Sequence, residues 1–595
     1  MALLTASRLL ALDAYNVPDT VAGFKVTQGE HTIPDEFDYV IVGAGAAGSL
    51  LANRLTEDGT TTVCLLEAGP ADRNPFIHIP AGFIKTLFDP SCTWQFKTEP
   101  TELTGGRAIS TTQGRTLGGS SSINGLVYNR GQPADFDSWA QRGNQGWGWQ
   151  DVLPYFRRSV RRIAIDDDQE GMLPVSRMDW THPVLEAFIR GCVRAGIPLN
   201  PDYNNGHQAG VGYFQRTILR GRRVSAARAF LLPATGRRSL EVRTNARAFQ
   251  ILLEDRRAVG IRYVRQRGDV GTTVRARREV ILSSGTVNTA RLLQVSGIGS
   301  NSLLAQLGVP LRHALNGVGE NFRDHYAVRV VMRAKPGIPT LNELSRGLRL
   351  GGQIARWAAG RPSILATSPS QAHVFWRSSD AFDEPDLQCV FTPGSYRQGA
   401  VYVLDDYPGV TAGAWPHRPE SRGHVRARSA DVFDDPVIQP NYLADVQDRR
   451  VTVEGLRLIR RLLATPELAP YLAHETLPGP AVQTDDELID FAYRNGSTCY
   501  HLIGTARMGP ASDPNAVVDD RLRVHGLEGL RIVDASIMPS MPSAKIPVRV
   551  LSQSRPVSCS RRIRSFGLKP ITSAKSSNST TSILRCPFSM FEMKG

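Results

Sequence analysis

The chain has 595 residues, too many for one hydrophobic core, so we expect two or more domains. With 41% hydrophobic and 21% charged residues, its composition is ordinary for a soluble globular protein. The net charge of +14 does not indicate nucleic-acid binding, because residues 546–595 carry nine Lys and Arg against one Glu. That tail contributes +8, which leaves +6 for residues 1–545.

Membrane, secretory and metal signals are missing from the sequence. No run approaches about 18 uncharged apolar residues, so we predict no membrane span. Residues 1–36 are predicted to be a polar N-terminal arm without a secretory signal. The seven cysteines form no CxxC pair and no zinc spacing. We therefore predict no metal site, and a reducing, cytoplasmic location.

The first structured stretch, residues 37–69, has the pattern of a βαβ unit. A buried strand, Phe37–Val42, leads into Gly43-Ala44-Gly45-Ala46-Ala47-Gly48, and a helical pattern continues to Leu55. A second apolar strand, Thr62–Leu66, ends in Glu67. This order is that of a dinucleotide-binding fingerprint, and it does not distinguish FAD from NAD.

Each small residue of the fingerprint has a predicted task. Gly43 permits the tight turn, Gly45 lets backbone N–H groups approach a pyrophosphate, and Gly48 lets the helix lie close to the strand. The helix N-terminus then stabilises the phosphate charge. Glu67 can accept hydrogen bonds from a ribose diol.

Further elements follow in chain order. Gly118, Gly119 and the serines at 120–122 are a second plausible cofactor cradle. Helices are predicted at 135–142, 151–162 and 182–195, and Asp135 and Asp137 are interpreted as helix-capping, solvated carboxylates. Alternating strands fill 240–264, and a strand at 279–284 precedes a helix through Leu293. Residues 325–490 mix strands with a helix at 453–463 and suit a substrate-covering domain.

Near the end of this region one histidine, His501, lies among small residues in the segment 497–509. A last strand then leads into Val533-Asp534-Ala535-Ser536. The nucleotide-binding elements are thus interleaved with the other region, which predicts a discontinuous domain. The predicted segments are an arm (1–36), a cofactor domain in three parts (37–160, 230–324, 491–545), a substrate domain in two parts (161–229, 325–490) and a basic, disordered tail (546–595).

These blocks together resemble the glucose–methanol–choline oxidoreductases, a family of FAD-dependent enzymes that oxidise alcohols. The resemblance is carried in order by 38–45, 118–125, Pro133–Trp139, 280–297, 317–325, Tyr500-His501 and 533–536, and it covers about residues 36–545. The choline and alkanol dehydrogenase branch is the most similar.

The resemblance implies a doubly wound, Rossmann-like FAD domain with an α+β substrate domain on a mainly antiparallel sheet. It implies FAD as cofactor, a small-molecule alcohol as substrate, oxygen or a quinone-type electron acceptor, and His501 facing the reactive ring. The predicted cofactor-binding residues are Gly43, Gly45, Ala46, Ala47, Gly48, Glu67, Arg115, Gly118, Gly119, Ser120, Asn124, Gly125, Val127, Ala248, Asp534 and Ala535.

Alcohol oxidation needs a group that takes the hydroxyl proton while the cofactor takes the hydride. Histidine suits this task because its ordinary pKa is about 6.5. We therefore predict that His501 is the base. His325, in a short polar loop, is interpreted as structural or cofactor-adjacent.

Three departures from the family pattern limit this prediction. Ile123 occupies the position at which some relatives attach the flavin through histidine, so we predict non-covalent FAD. Pro547 occupies the position of a second catalytic His or Asn, and the expected final helix is missing from 548–595. This change resembles a reading-frame shift or an alternative exon near codon 545. Two alternatives follow, namely a cyanohydrin lyase on the same flavin fold and a flavin-binding protein with impaired catalysis.

Overall fold

The computed structural model describes residues 35–165, 171–398 and 403–544. The predicted arm before residue 35 and the predicted tail with Pro547 lie outside the described residues.

The first sheet has a parallel centre and an antiparallel edge. Its order is Leu240–Arg243, Val63–Leu66, Asp35–Val42, Thr272–Leu282, Arg257–Val264, Arg247–Glu254, and Leu530–Ile532 also pairs with Thr272–Leu282. The first four strands of this order and Leu530–Ile532 pair in parallel, whereas the last two strands form an antiparallel hairpin that joins Thr272–Leu282. Every residue of Val63–Leu66 is buried, as expected for a parallel strand covered on both faces.

The second sheet is antiparallel throughout. Its order is Leu472–Leu477, Tyr326–Ala334, Gly409–Pro416, Leu387–Thr392, Ala372–Trp376, Gly210–Tyr213, and Ser497–Thr498 also pairs with Tyr326–Ala334. The predicted α/β class, with a Rossmann-like sheet and a second, antiparallel sheet, is therefore confirmed. The residue boundaries of the interleaved domains remain predictions.

Helices cover one face of the second sheet and form its core. Val446–Leu463 begins at Asp445, whose carboxylate accepts from Gln447 N–H at 2.7 Å, and it buries Val451, Leu458 and other apolar residues. A neighbouring helix, Asp485–Asn495, begins with a Thr484–Glu487 capping box.

The remaining elements are mostly short. The other helices are Ala46–Leu55, Pro75–His78, Phe83–Thr86, Pro133–Gln141, Trp149–Ser159, Pro183–Arg194, Gly285–Val295, Asn301–Leu307, Leu341–Leu344 and Gly347–Ala358. The other strands are Thr93–Trp94, Gln113–Gly114, Val160–Ile163, Leu173–Ser176, Ile218–Leu219, Arg222–Arg223, Ile298–Gly299, His313–Ala314, His424–Arg426 and Val437–Gln439. The predicted helix 151–162 ends at Ser159, because Val160–Ile163 pairs with Leu173–Ser176 as a strand. No described helix is long and apolar enough to cross a membrane.

Candidate active site

The strand Asp35–Val42 ends in a glycine turn that leaves no space for side chains. Gly43 has a φ of +101°, and a Cβ on it would lie 2.4 Å from Ser283 O. A Cβ on Gly48 would lie 1.9 Å from Gly43 O. Only glycine fits at either position, so the turn can be tight and the helix Ala46–Leu55 can lie against the strand.

A second glycine turn lies directly beside the first. A Cβ on Gly119 would lie 2.8 Å from Gly45 Cα, and Gly118 N–H donates to Ala44 O at 2.8 Å. A Cβ on Gly45 itself would have a protein atom, Ser283 O, no nearer than 3.9 Å. The two turns therefore form a wall of backbone, and Gly45 has space on its open side.

A cleft with about 1220 Å³ of empty space, part of it open to solvent, runs along this wall. Ten predicted cofactor-binding residues line it: Gly43, Gly45, Ala46, Ala47, Glu67, Gly119, Ser120, Ala248, Asp534 and Ala535. Tyr500 and Leu502, the neighbours of His501, line it as well. The predicted dinucleotide site thus lies beside the segment that carries the predicted base.

Glu67 ties the glycine turn to the end of the second strand. Its carboxylate accepts from the backbone N–H groups of Ala44 and Gly69, each at 2.9 Å. Burial raises the pKa of Glu67 to about 7, although both hydrogen bonds oppose that shift. The side chain lines the cleft, where its oxygens can also accept from a ribose.

Asp534 has a similar task at the end of the last strand. It accepts from Gly285 N–H at 2.9 Å and from Thr289 Oγ1 at 2.6 Å, and so holds the start of the helix Gly285–Val295. It also caps Ala535–Ile537 by accepting from Ser536 N–H. Burial raises the pKa of this carboxyl group.

Sequence reasoning missed an arginine cluster on the wall of the cleft. The guanidinium groups of Arg247, Arg291 and Arg115 lie 4.5, 5.6 and 5.4 Å from the ring centre of Trp94. All but Arg115 line the cleft, and burial lowers the pKa of both Arg247 and Arg291 to about 10. They remain cations at neutral pH, so the cleft carries positive charge suited to an anionic dinucleotide.

A second pocket, with about 710 Å³ of empty space, adjoins the cleft and shares Gln113, Ser120 and Tyr500 with it. His501 lines this pocket, and so do the predicted residues Asn124, Gly125 and Val127. Asn124 Oδ1 accepts from Leu126 N–H at 3.0 Å and from Arg223 Nη1 at 2.8 Å, which fixes the loop. Of the predicted set, Gly48, Arg115 and Gly118 line neither space.

The structure brings two histidines together that are 176 positions apart. His325 Nδ1 and His501 Nδ1 lie 2.8 Å apart, and His325 Nε2 lies 2.8 Å from the carbonyl oxygen of His417. Both rings are buried. The sequence did not predict this contact. Its only hint that His325 lies near the site was the Asp324-His325 pair among the blocks that carry the family resemblance.

Asp324 holds the two backbone segments that carry His325 and His501. Its Oδ1 accepts from His501 N–H at 2.8 Å, and its Oδ2 accepts from the hydroxyl groups of Tyr442, at 2.5 Å, and Thr498. Tyr500 has a φ of +64°, so this short segment is held in a left-handed turn. Burial raises the pKa of Asp324 to about 6.

The interpretation of Asp135 as a solvated carboxylate is wrong. Asp135 does cap its helix, accepting from Gln132 N–H at 2.9 Å, but it is buried and also accepts from Arg418 Nε at 2.8 Å. Its Oδ2 accepts from Ser543 Oγ at 2.6 Å and so fastens the last described residues to the start of this helix. Asp137 is exposed and accepts from Trp149 N–H at 2.8 Å. In the described part of the chain, no cluster of three His, Cys, Asp or Glu could hold a metal ion.

Comparison with known proteins identifies what this arrangement resembles. Two family models, both described as GMC oxidoreductase, match residues 37–327 and 419–551. An alcohol dehydrogenase [acceptor] of Pseudomonas putida is 38% identical over 512 residues, 85% of this chain and 92% of its own. An oxygen-dependent choline dehydrogenase of Staphylococcus aureus is 38% identical over 527 residues, 87% of this chain and 91% of its own. Among solved structures, pyridoxine 4-oxidase from Mesorbium loti has a TM-score of 0.79 at 31% identity and covers 87% of this chain and 97% of its own.

Proposed function

The chain belongs to the GMC oxidoreductase family of FAD-dependent enzymes that act on CH–OH donors, and we propose that His501 is the base that activates its alcohol substrate. The two glycine turns, Glu67 and Asp534 would hold FAD along the cleft. Bound FAD supplies the acceptor for the hydride of the carbinol carbon. The protein itself must bind the alcohol, orient it and accept its hydroxyl proton.

The hydrogen-bond chain through His325 supports this role. A carbonyl oxygen can only accept, so His325 Nε2 carries the proton that it donates to His417 O. In the neutral imidazole, Nδ1 of His325 then holds a lone pair and accepts from His501 Nδ1–H. Neutral His501 therefore carries its basic lone pair on Nε2, and we assign this atom to the substrate hydroxyl. This chain of donors is the observation that carries the proposal.

The proton gained by His501 would be stabilised close by. Protonation at Nε2 makes the His501 ring a cation. The Asp324 carboxylate lies close by, because it accepts from the backbone N–H of His501. The same carboxylate prevents the turn around Tyr500 from rotating, so the ring keeps one orientation during the reaction. His325 acts as a positioning residue because it fixes the tautomer of His501 and is not among the described residues that line the pocket.

The pocket beside His501 favours an uncharged substrate. Its wall is largely apolar, with Phe83, Leu87, Ile123, Leu126, Val127 and Pro369. No Asp or Glu is among its described lining residues. A quaternary ammonium group would find no counter-charge there, so we propose a neutral primary alcohol, oxidised to an aldehyde, in preference to choline.

The alternatives predict different flavin spectra. A cyanohydrin lyase would use the same base, and a protein impaired at Pro547 would retain flavin, but neither would bleach it. No described contact favours either alternative. Ile123 is buried on the pocket wall, so we propose that FAD is held without a covalent bond and is released into the supernatant by acid precipitation. Whether oxygen or a quinone reoxidises the enzyme can be tested by adding each to the bleached protein.

Anaerobic stopped-flow mixing with a straight-chain primary alcohol tests the proposal. His501→Ala should slow flavin bleaching by about 10²–10⁴-fold, the usual contribution of a general base. His474→Ala, at an exposed position of the second sheet, is the matched control and should bleach at the wild-type rate. Equal bleaching by the His501 variant would disprove the role, and an unbleached wild-type protein would favour the lyase or the impaired enzyme.

A further inference from the structure

The helix Gly347–Ala358 is unusual because none of its residues is buried. Leu350, Ile354 and Trp357 recur at helical spacing and form an apolar stripe of the kind that normally lies in a core. Here all three remain partly exposed, and Leu348, on another side of the helix, is 96% exposed. The stripe faces the protein, since Trp357 Nε1 donates to Gly221 O at 2.8 Å and the helix contacts Ile364–Ala366. Burial in the protein therefore accounts for the stripe but not for Leu348.

The charges around this helix have one sign. Arg346, Arg349, Arg356 and Arg361 are exposed, and residues 344–379 contain no Asp or Glu. Two of these arginines reach acids from outside that range: Arg349 lies 3.6 Å from Glu343, and Arg346 lies 3.1 Å from Asp406. Both are exposed pairs, which bind weakly and leave the surface predominantly basic.

A second exposed apolar segment belongs to the same region. The helix contacts Ile364–Ala366, which contacts Pro80–Gly82, and this turn leads directly into residues 83–88. Within 83–88, Phe83 and Leu87 face inward and line the pocket beside His501. Ile84 and Phe88 are 41% and 52% exposed, and Lys85 is exposed as well. One short segment thus separates the substrate pocket from the outside surface.

We propose that this surface, the helix Gly347–Ala358 with residues 83–88, docks on an anionic lipid bilayer. Exposed apolar side chains beside Arg residues, here Leu348, Ile84 and Phe88, can enter the bilayer interface while the arginines bind the phosphates of anionic lipids. The excess of positive charge matches such a surface. Docking would place the wall of the substrate pocket against the lipid, which is where apolar alcohols concentrate. The proposal goes beyond the alcohol oxidation proposed above and does not depend on turnover.

Sedimentation of the full-length holoenzyme with vesicles tests the proposal. The protein should sediment with phosphatidylcholine vesicles that contain phosphatidylglycerol, and much less with phosphatidylcholine alone. Leu348→Asp should weaken this binding by about tenfold, the loss expected when a Leu side chain leaves an apolar phase. Val270→Asp is the matched control, because Val270 is 89% exposed in the loop between the strands Arg257–Val264 and Thr272–Leu282, and it should bind like the wild type.

The basic residues 546–595 could also bind anionic vesicles, so a local readout is needed. Hydrogen exchange of the peptide 345–361 should slow on the phosphatidylglycerol vesicles, whereas the peptide 260–271 should not change. Arg349→Glu with Arg356→Glu should remove the protection, and Arg190→Glu with Arg461→Glu, an equal charge change at exposed positions elsewhere, should retain it. Absence of binding, unprotected 345–361, or equal binding by the Leu348 and Val270 variants would overturn the proposal.

Discussion

The glycine turn at Gly43–Gly48 and the histidine pair His325–His501 belong to one site but are built in opposite ways. The turn is a short stretch of backbone whose shape demands glycine, because a Cβ on Gly48 would meet Gly43 O at 1.9 Å and a Cβ on Gly43 would meet Ser283 O of a neighbouring strand at 2.4 Å. The pair joins residues 176 positions apart through one contact between side chains. A close approach of backbone to backbone leaves a strict mark on residue type, whereas a contact between two distant side chains leaves none.

The largest effect is expected where that local constraint is tightest. Gly48→Ala should destabilise the protein by about 3 kcal/mol or more and abolish FAD retention, because the new Cβ forces the helix away from Gly43 O. Gly351→Ala is the matched control, since Gly351 is also helical but has no atom within 4 Å of its Cβ position. Thermal unfolding and flavin content would check both. A Gly48 variant as stable as the control would show that the turn is more adaptable than its geometry indicates.

The second-largest effect on stability is expected from two buried carboxyl groups, Asp324 beside the histidine pair and Glu67 beside the glycine turn. Burial raises the pKa of Asp324 to about 6 and that of Glu67 to about 7. The folded protein then holds these protons to higher pH than the unfolded chain does, so the free energy of unfolding falls as pH rises. A rise of about 2 pKa units corresponds to about 3 kcal/mol at most for each group.

Denaturant unfolding of the variants between pH 4 and pH 7 separates the two regions. Asp324→Asn should remove the decrease in the free energy of unfolding that occurs between pH 4 and pH 6. Glu67→Gln should remove the part of that decrease that extends to about pH 7. Asp137→Asn, at an exposed carboxylate, should leave the fall unchanged. Identical pH dependence in all three variants would contradict the burial argument.

The sequence predicted the features that depend on backbone geometry and missed those that depend on contacts between distant side chains. The first βαβ unit and the strand and helix within 279–293 were predicted from period and glycine position, which are local signals, and the two-sheet architecture was implied by the family resemblance. The contact between His325 and His501, the arginine cluster on Trp94 and the buried role of Asp135 were missed. Each depends on which distant segments the fold brings together, and no spacing within one segment reports it.

The histidine pair should show a smaller, kinetic effect. His325→Leu should slow flavin bleaching by about 10–100-fold, because His501 would lose the acceptor that fixes its tautomer. The pH profile of the bleaching rate should shift at the same time, which a purely structural role would not produce. His325→Gln retains an amide that can both accept and donate, so it should recover part of the rate. A Leu variant with normal rate and pH profile would remove His325 from the mechanism.

The smallest effect should come from Gly45, in the same turn as Gly48 but facing the cleft. A Cβ on Gly45 would lie 3.9 Å from Ser283 O, so Gly45→Ala should leave the stability of the FAD-free protein within about 0.5 kcal/mol of wild type. The methyl group would instead enter the space where the backbone meets the cofactor, so FAD should bind about fivefold to tenfold more weakly. Flavin fluorescence titration of the FAD-free protein measures the affinity, and its unfolding midpoint measures the stability. If both glycines reduced stability equally, Gly45 would be a folding residue like Gly48. If only FAD affinity fell, one turn would contain a residue required for folding and another reserved for the cofactor, three positions apart.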